Sequence, residues 1–383
     1  MRNVFATTWM ALACLSAAAS AGAQAPAAGP APVAGPAANG VPPRPNPIGK
    51  PLLYADFKSP AVTVKYPGNV EASFDNVYSS LPGFRPLVLD VYRMPNAGPK
   101  PAIIFVHGGS YIGGNLRTDH DPMFGEMDGF MAYVAARGYV VIPVDYRLAD
   151  EARWPAQLED VKAAIRWVRT NAARLGVDPQ HIGIWGNSAG GHIVAMAGVT
   201  CDVAEFEVQE NLKGVARAGG GTTMNTAPTP APQSSCVQAV VDWYGASDFA
   251  RLDAQAEPYT RLFHNKPDSS QSRVLGCSLG ESCDAATVMK TNALHYVEAG
   301  GARNVSFLFQ VGDRDEAIPW KQSQILHDAL RAKGVPSRIE TVSGANHYFT
   351  GATKEQLKQV LDSFFGFWDE TLAKPSAKTG SGQ

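Results

Sequence analysis

The sequence predicts an α/β fold: a mostly parallel sheet covered by helices on both faces. Three observations carry that expectation. Short, wholly apolar runs alternate with longer amphipathic stretches, the pattern of strands buried on both sides by crossover helices. One apolar run, Ile182-Gly183-Ile184-Trp185, passes through Gly186-Asn187-Ser188-Ala189-Gly190 directly into helix-like residues 191–197. Of the 383 residues, 45% are hydrophobic and 18% charged, which is enough apolar material for one large core.

The elements follow in chain order. Residues 86–92 alternate polar and apolar and read as an early, partly exposed strand. Residues 102–106 (Ala-Ile-Ile-Phe-Val) form a buried strand, residues 125–137 a helix, and residues 139–144 the next strand. Residues 155–174 are an amphipathic helix with Val161, Ile165 and Val168 on one side. Pro155 starts it, where a missing N–H loses no helical bond. After the run at 182–185 comes a strand ending near Tyr244. Further strands lie at 305–311 and 338–342, with closing helices at 321–333 and 354–372. Two stretches break the rhythm. Residues 218–235 are nearly all Gly, Thr, Pro, Ala and Gln and predict an irregular loop. Residues 252–296, polar and interrupted by Gly and Pro, predict a small helical and loop excursion over the site.

Chemistry concentrates at strand ends. A serine on a one-residue strand-to-helix turn is held in a strained backbone, and glycines two residues to either side let strand and helix pass closely. That turn lifts the Ser188 hydroxyl above the sheet and aims the Ala189 amide at a bound oxygen. The strand at 102–106 runs into His107-Gly108-Gly109-Ser110, similar to the H-G-G-x oxyanion loop of esterases. Its candidate donors are the amides of Gly109 and Ser110, joined by Ala189. Each such donor is typically worth roughly 3–4 kcal/mol. A base and an acid are expected downstream in the order Ser, Asp, His. The strand at 305–311 ends beside two aspartates, Asp313 and Asp315; Asp248, after an earlier strand, is a third candidate. His347 lies in a Gly-containing loop after the last strand, free to reach a serine. His192 falls on the packed side of the nucleophile helix, His181 on the opposite face, and His327 on an amphipathic helix. His107 belongs to the oxyanion loop's architecture.

With these residues in hand, the chain resembles an α/β-hydrolase of the bacterial esterase group. That group includes hormone-sensitive-lipase-like carboxylesterases, acetyl xylan esterases and feruloyl-esterase-like proteins. Matching segments also include Val144-Asp145-Tyr146-Arg147-Leu148, Trp154-Pro155-Ala156-Gln157-Leu158-Glu159-Asp160 and Val240-Val241-Asp242-Trp243-Tyr244-Gly245. The resemblance spans residues 52–372 and implies an eight-stranded sheet. Members commonly show G-x-x-D-x-x-V-P after the penultimate strand, which puts the acid at Asp315. The implied enzyme is a cofactor-free serine carboxylesterase with Ser188, His347 and Asp315 as its triad. Ser110 departs from the H-G-G-G form of the oxyanion loop.

Substrate candidates are Tyr111, Trp154, Tyr244 and Tyr348, with Trp320 and Phe349, each against the alternative that it merely packs the core. No long apolar amphipathic helix suggests a lipase lid, so the expected substrates are small esters with short acyl or aryl groups. The resemblance and expected export point to acetyl or feruloyl esters of plant polysaccharides. Two other classes share the pattern: a prolyl-oligopeptidase-like serine peptidase, which usually carries a large propeller, and a binding module that has lost a triad residue.

A formal net charge of −2 with no basic stripe argues against nucleic acid as a partner. Residues 1–25 have the positive start, small apolar body and Ala-x-Ala end of a signal peptide, implying an exported protein. That body is too weakly apolar for stable membrane insertion; Cys14 offers the lipoprotein alternative. Residues 26–51 read as a Pro/Ala/Gly-rich disordered tether, 52–373 as the catalytic domain and 374–383 as a disordered tail. Export leaves four cysteines, an even count that favours disulfides. Cys277 and Cys283 are the natural local pair, leaving Cys201 with Cys236. No metal site is expected, because the spacings match no usual zinc pattern.

Overall fold

A computed structural model of the chain describes residues 63–373, apart from 82–83, 96, 119–125, 202 and 208–232. The expected signal peptide, tether and tail, and most of the 218–235 stretch, lie outside the described residues. The described strands are β1 (Thr63–Tyr66), β2 (Val70–Ser79), β3 (Leu87–Arg93), β4 (Lys100–Val106), β5 (Val140–Val144), β6 (Val177–Asn187), β7 (Ala239–Trp243), β8 (Ser306–Gly312) and β9 (Ser337–Val342). They form one sheet in the order β1-β2-β3-β5-β4-β6-β7-β8-β9. From β5 through β4 to β9 every neighbour is parallel, while β1, β2 and β3 pair antiparallel at one edge.

The α/β-hydrolase fold holds, but the sheet has nine strands rather than eight. Two strands, β1 and β2, precede the first one placed from the sequence; they are joined by a turn in which Gly68 and Asn69 take positive φ, and β1 forms the sheet edge. Its half-exposed alternation, Thr-Val-Lys-Tyr, is an edge pattern. No long apolar run marks it in the sequence.

Alternation along the central strands divides the core in two. Ile104 and Val106 of β4 and Ile184 of β6 face helices α2 (Ala156–Thr170) and α4 (Ala189–Val199). Ile103, Phe105 and Trp185 face α1 (Met127–Ala135) and the closing helix Lys354–Trp368. The expected helix at 155–174 is broken at Asn171, with a short α3 (Ala172–Leu175) ending at left-handed Gly176. No described helix is long and apolar enough to cross a membrane.

Both expected disulfides are present in the structure, Cys201–Cys236 and Cys277–Cys283, with Cα separations of 4.8 and 5.1 Å. The first links the end of α4 to the entry of β7, at the sheet edge away from Ser188. Buried Lys162 and Arg166 of α2 hold Glu207 there, and Arg169 donates to the Ser234 and Cys236 carbonyls. The anchors of the 218–235 stretch therefore lie at the N-terminal edge of the sheet. A loop-entropy argument predicts that replacing Cys201 and Cys236 with serine costs about 4 kcal/mol, against about 2 kcal/mol for the Cys277–Cys283 pair. Urea unfolding of the two double variants checks the order: the closed loops differ by sequence separations of 35 and 6.

Candidate active site

Ser188 sits between β6 and α4 with φ 53° and ψ −118°, the strained elbow anticipated from the spacing. The glycines are steric necessities. A Cβ on Gly190 would lie 2.1 Å from the Val106 carbonyl oxygen, and one on Gly186 would lie 2.5 Å from the Gly190 carbonyl. The Ser188 amide donates to the Trp243 carbonyl at 2.9 Å, pinning the elbow to the end of β7.

The structure brings Ser188, His347 and Asp315 into one line. The Ser188 hydroxyl donates to His347 Nε2 at 2.9 Å, and His347 Nδ1–H donates to Asp315 Oδ2 at 2.7 Å. Asp315 is 1% exposed, and its Oδ1 accepts the amides of Ala317 and Ile318 at 2.8 Å each. Its carboxylate is thus oriented before the histidine arrives. Asp313 is used otherwise: its Oδ1 accepts the Gly344 amide at 2.7 Å. Asp248 accepts the Ala250 amide and pairs with Arg251. Neither touches His347. Asn346, not singled out from the sequence, ties the two loops together, because its Oδ1 accepts the amides of both Glu316 and His347 at 2.7 Å.

The loop after β4 adopts an unusual backbone. Gly109, Ser110 and Tyr111 have φ of 94°, 56° and 63°, three successive residues in the left-handed region. A Cβ at Gly109 would fall 2.1 Å from the Gly113 carbonyl oxygen. Among the described residues, the Gly109 and Ser110 amides donate to no protein acceptor. The Ala189 amide is the first of α4, where a helix N–H has no intrahelical partner. His107 stays in the loop, its Nδ1 against the Gly108 carbonyl and its ring stacked on Tyr146.

A cavity of about 170 Å³ opens on these groups, lined by Ser110, Tyr111, Ser188, Ala189, His347 and Tyr348. The 252–296 excursion supplies its far wall through Leu262, His264, Ser270 and Gln271. Two expected pocket aromatics are absent from the lining. Trp154 instead packs tilted against His192 at 4.9 Å and donates its Nε1–H to the Lys290 carbonyl. Tyr244, 1% exposed, packs against His347 at 4.8 Å and Phe349 at 5.0 Å. Phe349 packs within the second half of the core, and Trp320, partly buried, packs against it. A larger hollow of about 490 Å³, lined by Arg93, Lys100 and Arg174, lies on the opposite edge, and none of the residues just described lines it. Among the described residues no metal-holding cluster exists.

Asp242 was not flagged as functional, although a carboxylate inside Val-Val-Asp-Trp is itself a signal. It is fully buried; Oδ1 accepts the Gly245 amide at 2.8 Å and Oδ2 meets no donor. Burial pushes its pKa up to about 7. A carboxyl harder to ionise when folded favours folding where it is protonated. Its contribution is complete below about pH 4 and is lost as pH rises to about 7. Asp242→Asn is therefore expected to gain about 2–3 kcal/mol relative to wild type between pH 5 and pH 8. Urea unfolding at both pH values tests this; an unchanged difference would refute it.

A family model named BD-FAE matches residues 89–330. The chain is 33% identical over 248 residues to esterase LipC of Mycobacterium tuberculosis, an alignment covering 64% of this chain and 52% of LipC. It thus spans about half the length of that curated relative. A truncated carbohydrate esterase from gut microbiota superposes with a TM-score of 0.61 at 26% identity, covering 81% of this chain and 99% of the other. An acetyl ester-xyloside bifunctional hydrolase from Caldicellulosiruptor lactoaceticus shares the fold, with a TM-score of 0.55 at 22% identity over 75% of this chain and 93% of the other.

Proposed function

The chain belongs to the BD-FAE family of esterase-type α/β-hydrolases, and from that premise we propose an exported serine carboxylesterase acting on short acyl or aryl esters. The observation that carries this reading is the Ser188–His347–Asp315 line, which ends at a cavity bordered by unpaired backbone amides. Ser188 Oγ attacks the ester carbonyl carbon while His347 Nε2 takes its proton. Charge gathers on the former carbonyl oxygen, where the amides of Gly109, Ser110 and Ala189 stabilise it. His347 then protonates the departing alcohol. Water, deprotonated by the same imidazole, attacks the acyl-enzyme and releases the acid. Asp315 orients His347 and stabilises its charged form.

The small cavity favours short acyl groups, and the likeness to a carbohydrate esterase supports acetyl or feruloyl esters on plant polysaccharides as substrates. Hydrolysis of p-nitrophenyl acetate, butyrate and octanoate by the mature protein should fall with chain length. Release of acetate from acetylated xylan should exceed the blank. A rate on xylan equal to the blank, beside brisk hydrolysis of phenyl esters, would rule out the polysaccharide reading; no turnover of any ester would rule out the esterase. Export would show as a chain shortened near Ala25 in extracytoplasmic fractions.

A further inference from the structure

Two non-glycine residues in the left-handed region, Ser110 and Tyr111, follow left-handed Gly109. Such backbone persists only where the surroundings over-determine it. Part of the restraint is local: Ile112 and Gly113 both donate to the Gly109 carbonyl at 3.1 Å, and Ala149 donates to the Tyr111 carbonyl at 2.7 Å. The rest comes from a side chain on another element. The Tyr111 ring is 1% exposed, and its hydroxyl lies 2.9 Å from His192 Nδ1.

The direction of that bond follows from chemistry. His192 Nε2 lies 2.9 Å from the Thr291 carbonyl, which can only accept. Nε2 therefore carries the proton of the neutral ring, and Nδ1 accepts from the Tyr111 hydroxyl. Complete burial lowers the imidazole pKa to about 4 and keeps it neutral under ordinary conditions. The groups around the ring are Tyr111, Trp154, Phe249 and Thr291, and among the described residues no carboxylate or cation is bonded to it.

His192 is four residues beyond Ser188 on α4, the helix whose first amide is that of Ala189. Tyr111 directly follows Ser110. The bond between them thus joins the two halves of the oxyanion hole. We propose that His192 is a positioning residue that, through Tyr111, sets the spacing between the Gly109–Ser110 amides and the Ala189 amide. His192 does not line the cavity. This assignment rests on the acyl-transfer reading above.

The test compares wild type with His192→Phe, His192→Gln, Tyr111→Phe and the double variant His192→Phe/Tyr111→Phe. His192→Phe keeps an aromatic ring but removes the acceptor; Gln can both accept and donate. The expected result for His192→Phe is a kcat on p-nitrophenyl acetate reduced about 10–100-fold, with KM changed less than about threefold. A parallel loss of affinity for a trifluoromethyl ketone should accompany it, because that adduct places an oxyanion in the same hole. Gln should recover most of the loss, and the double variant should be no worse than the worse single one. If His192→Phe does not fold, Tyr111→Phe carries the same comparison. Unchanged kcat and ketone affinity in a folded variant, or a loss confined to KM, would overturn the proposal. A wild-type protein without ester turnover would instead overturn the reading it rests on.

Discussion

Ser188→Ala is expected to lower kcat on p-nitrophenyl acetate by about 10⁵–10⁶-fold while leaving KM within a few-fold of wild type. The loss is large because every covalent step passes through one oxygen. Ser188 Oγ is the atom that His347 Nε2 faces at 2.9 Å, and it sits on a backbone whose φ of 53° serves no purpose but to present it. Removing the hydroxyl leaves the amides and the cavity in place, so substrate should still bind. Some hydrolysis above the uncatalysed rate should also remain, since the oxyanion donors can act on attack by water. A variant retaining more than about one hundredth of wild-type kcat would show that Ser188 is not the nucleophile. Inactivation of wild type by a fluorophosphonate, with the adduct on the peptide containing Ser188, provides the matching positive measurement.

Asp315→Asn should be the second-largest effect, about 10⁴-fold in kcat. The mechanism is tautomeric. Asp315 Oδ1 is already occupied by the Ala317 and Ile318 amides, so Oδ2 alone faces His347 Nδ1. An asparagine in this place keeps its oxygen on those two amides and turns its NH2 toward the imidazole. His347 must then carry its proton on Nε2, where it can no longer accept from Ser188. Geometry survives and chemistry does not. Asp313→Asn provides the contrast: its carboxylate serves a turn amide at Gly344, and an asparagine oxygen can accept the same bond, so kcat should change less than about threefold. Equal losses at both positions would mean that charge near the loop, and not the tautomer, matters.

The line of Ser188, His347 and Asp315 was legible because each member is marked by local grammar. The elbow glycines flank Ser188 because a Cβ at either would fall 2.1–2.5 Å from a backbone carbonyl oxygen. Of the two aspartates, the G-x-x-D-x-x-V-P pattern of the resemblance favoured Asp315 over Asp313. Both end the same strand, and which one turns toward the site depends on the loop holding His347, brought against it through Asn346. The pocket was the least readable part. Trp154 and Tyr244 look like ligand-facing aromatics in sequence, yet each buries its ring against a histidine. The cavity wall comes instead from His264 and Gln271, inside a stretch with no periodicity to read.

The amino-acid order by itself determined the alternation of strands and helices, the strained serine turn and the glycine-rich loop at residues 107–110. Those features depend on contacts a few residues apart or on the period of side-chain burial. Only the tertiary structure decided the ninth strand at the sheet edge, the contact of Asp315 with His347, and the bond between Tyr111 and His192, residues 81 positions apart. It also decided that Asp242 would be sealed in the core. The physical reason is common to all four. Hydrogen-bond direction, burial of a charge and closure of a pocket depend on which atoms meet in space, and segments distant in the chain meet only once the sheet has assembled.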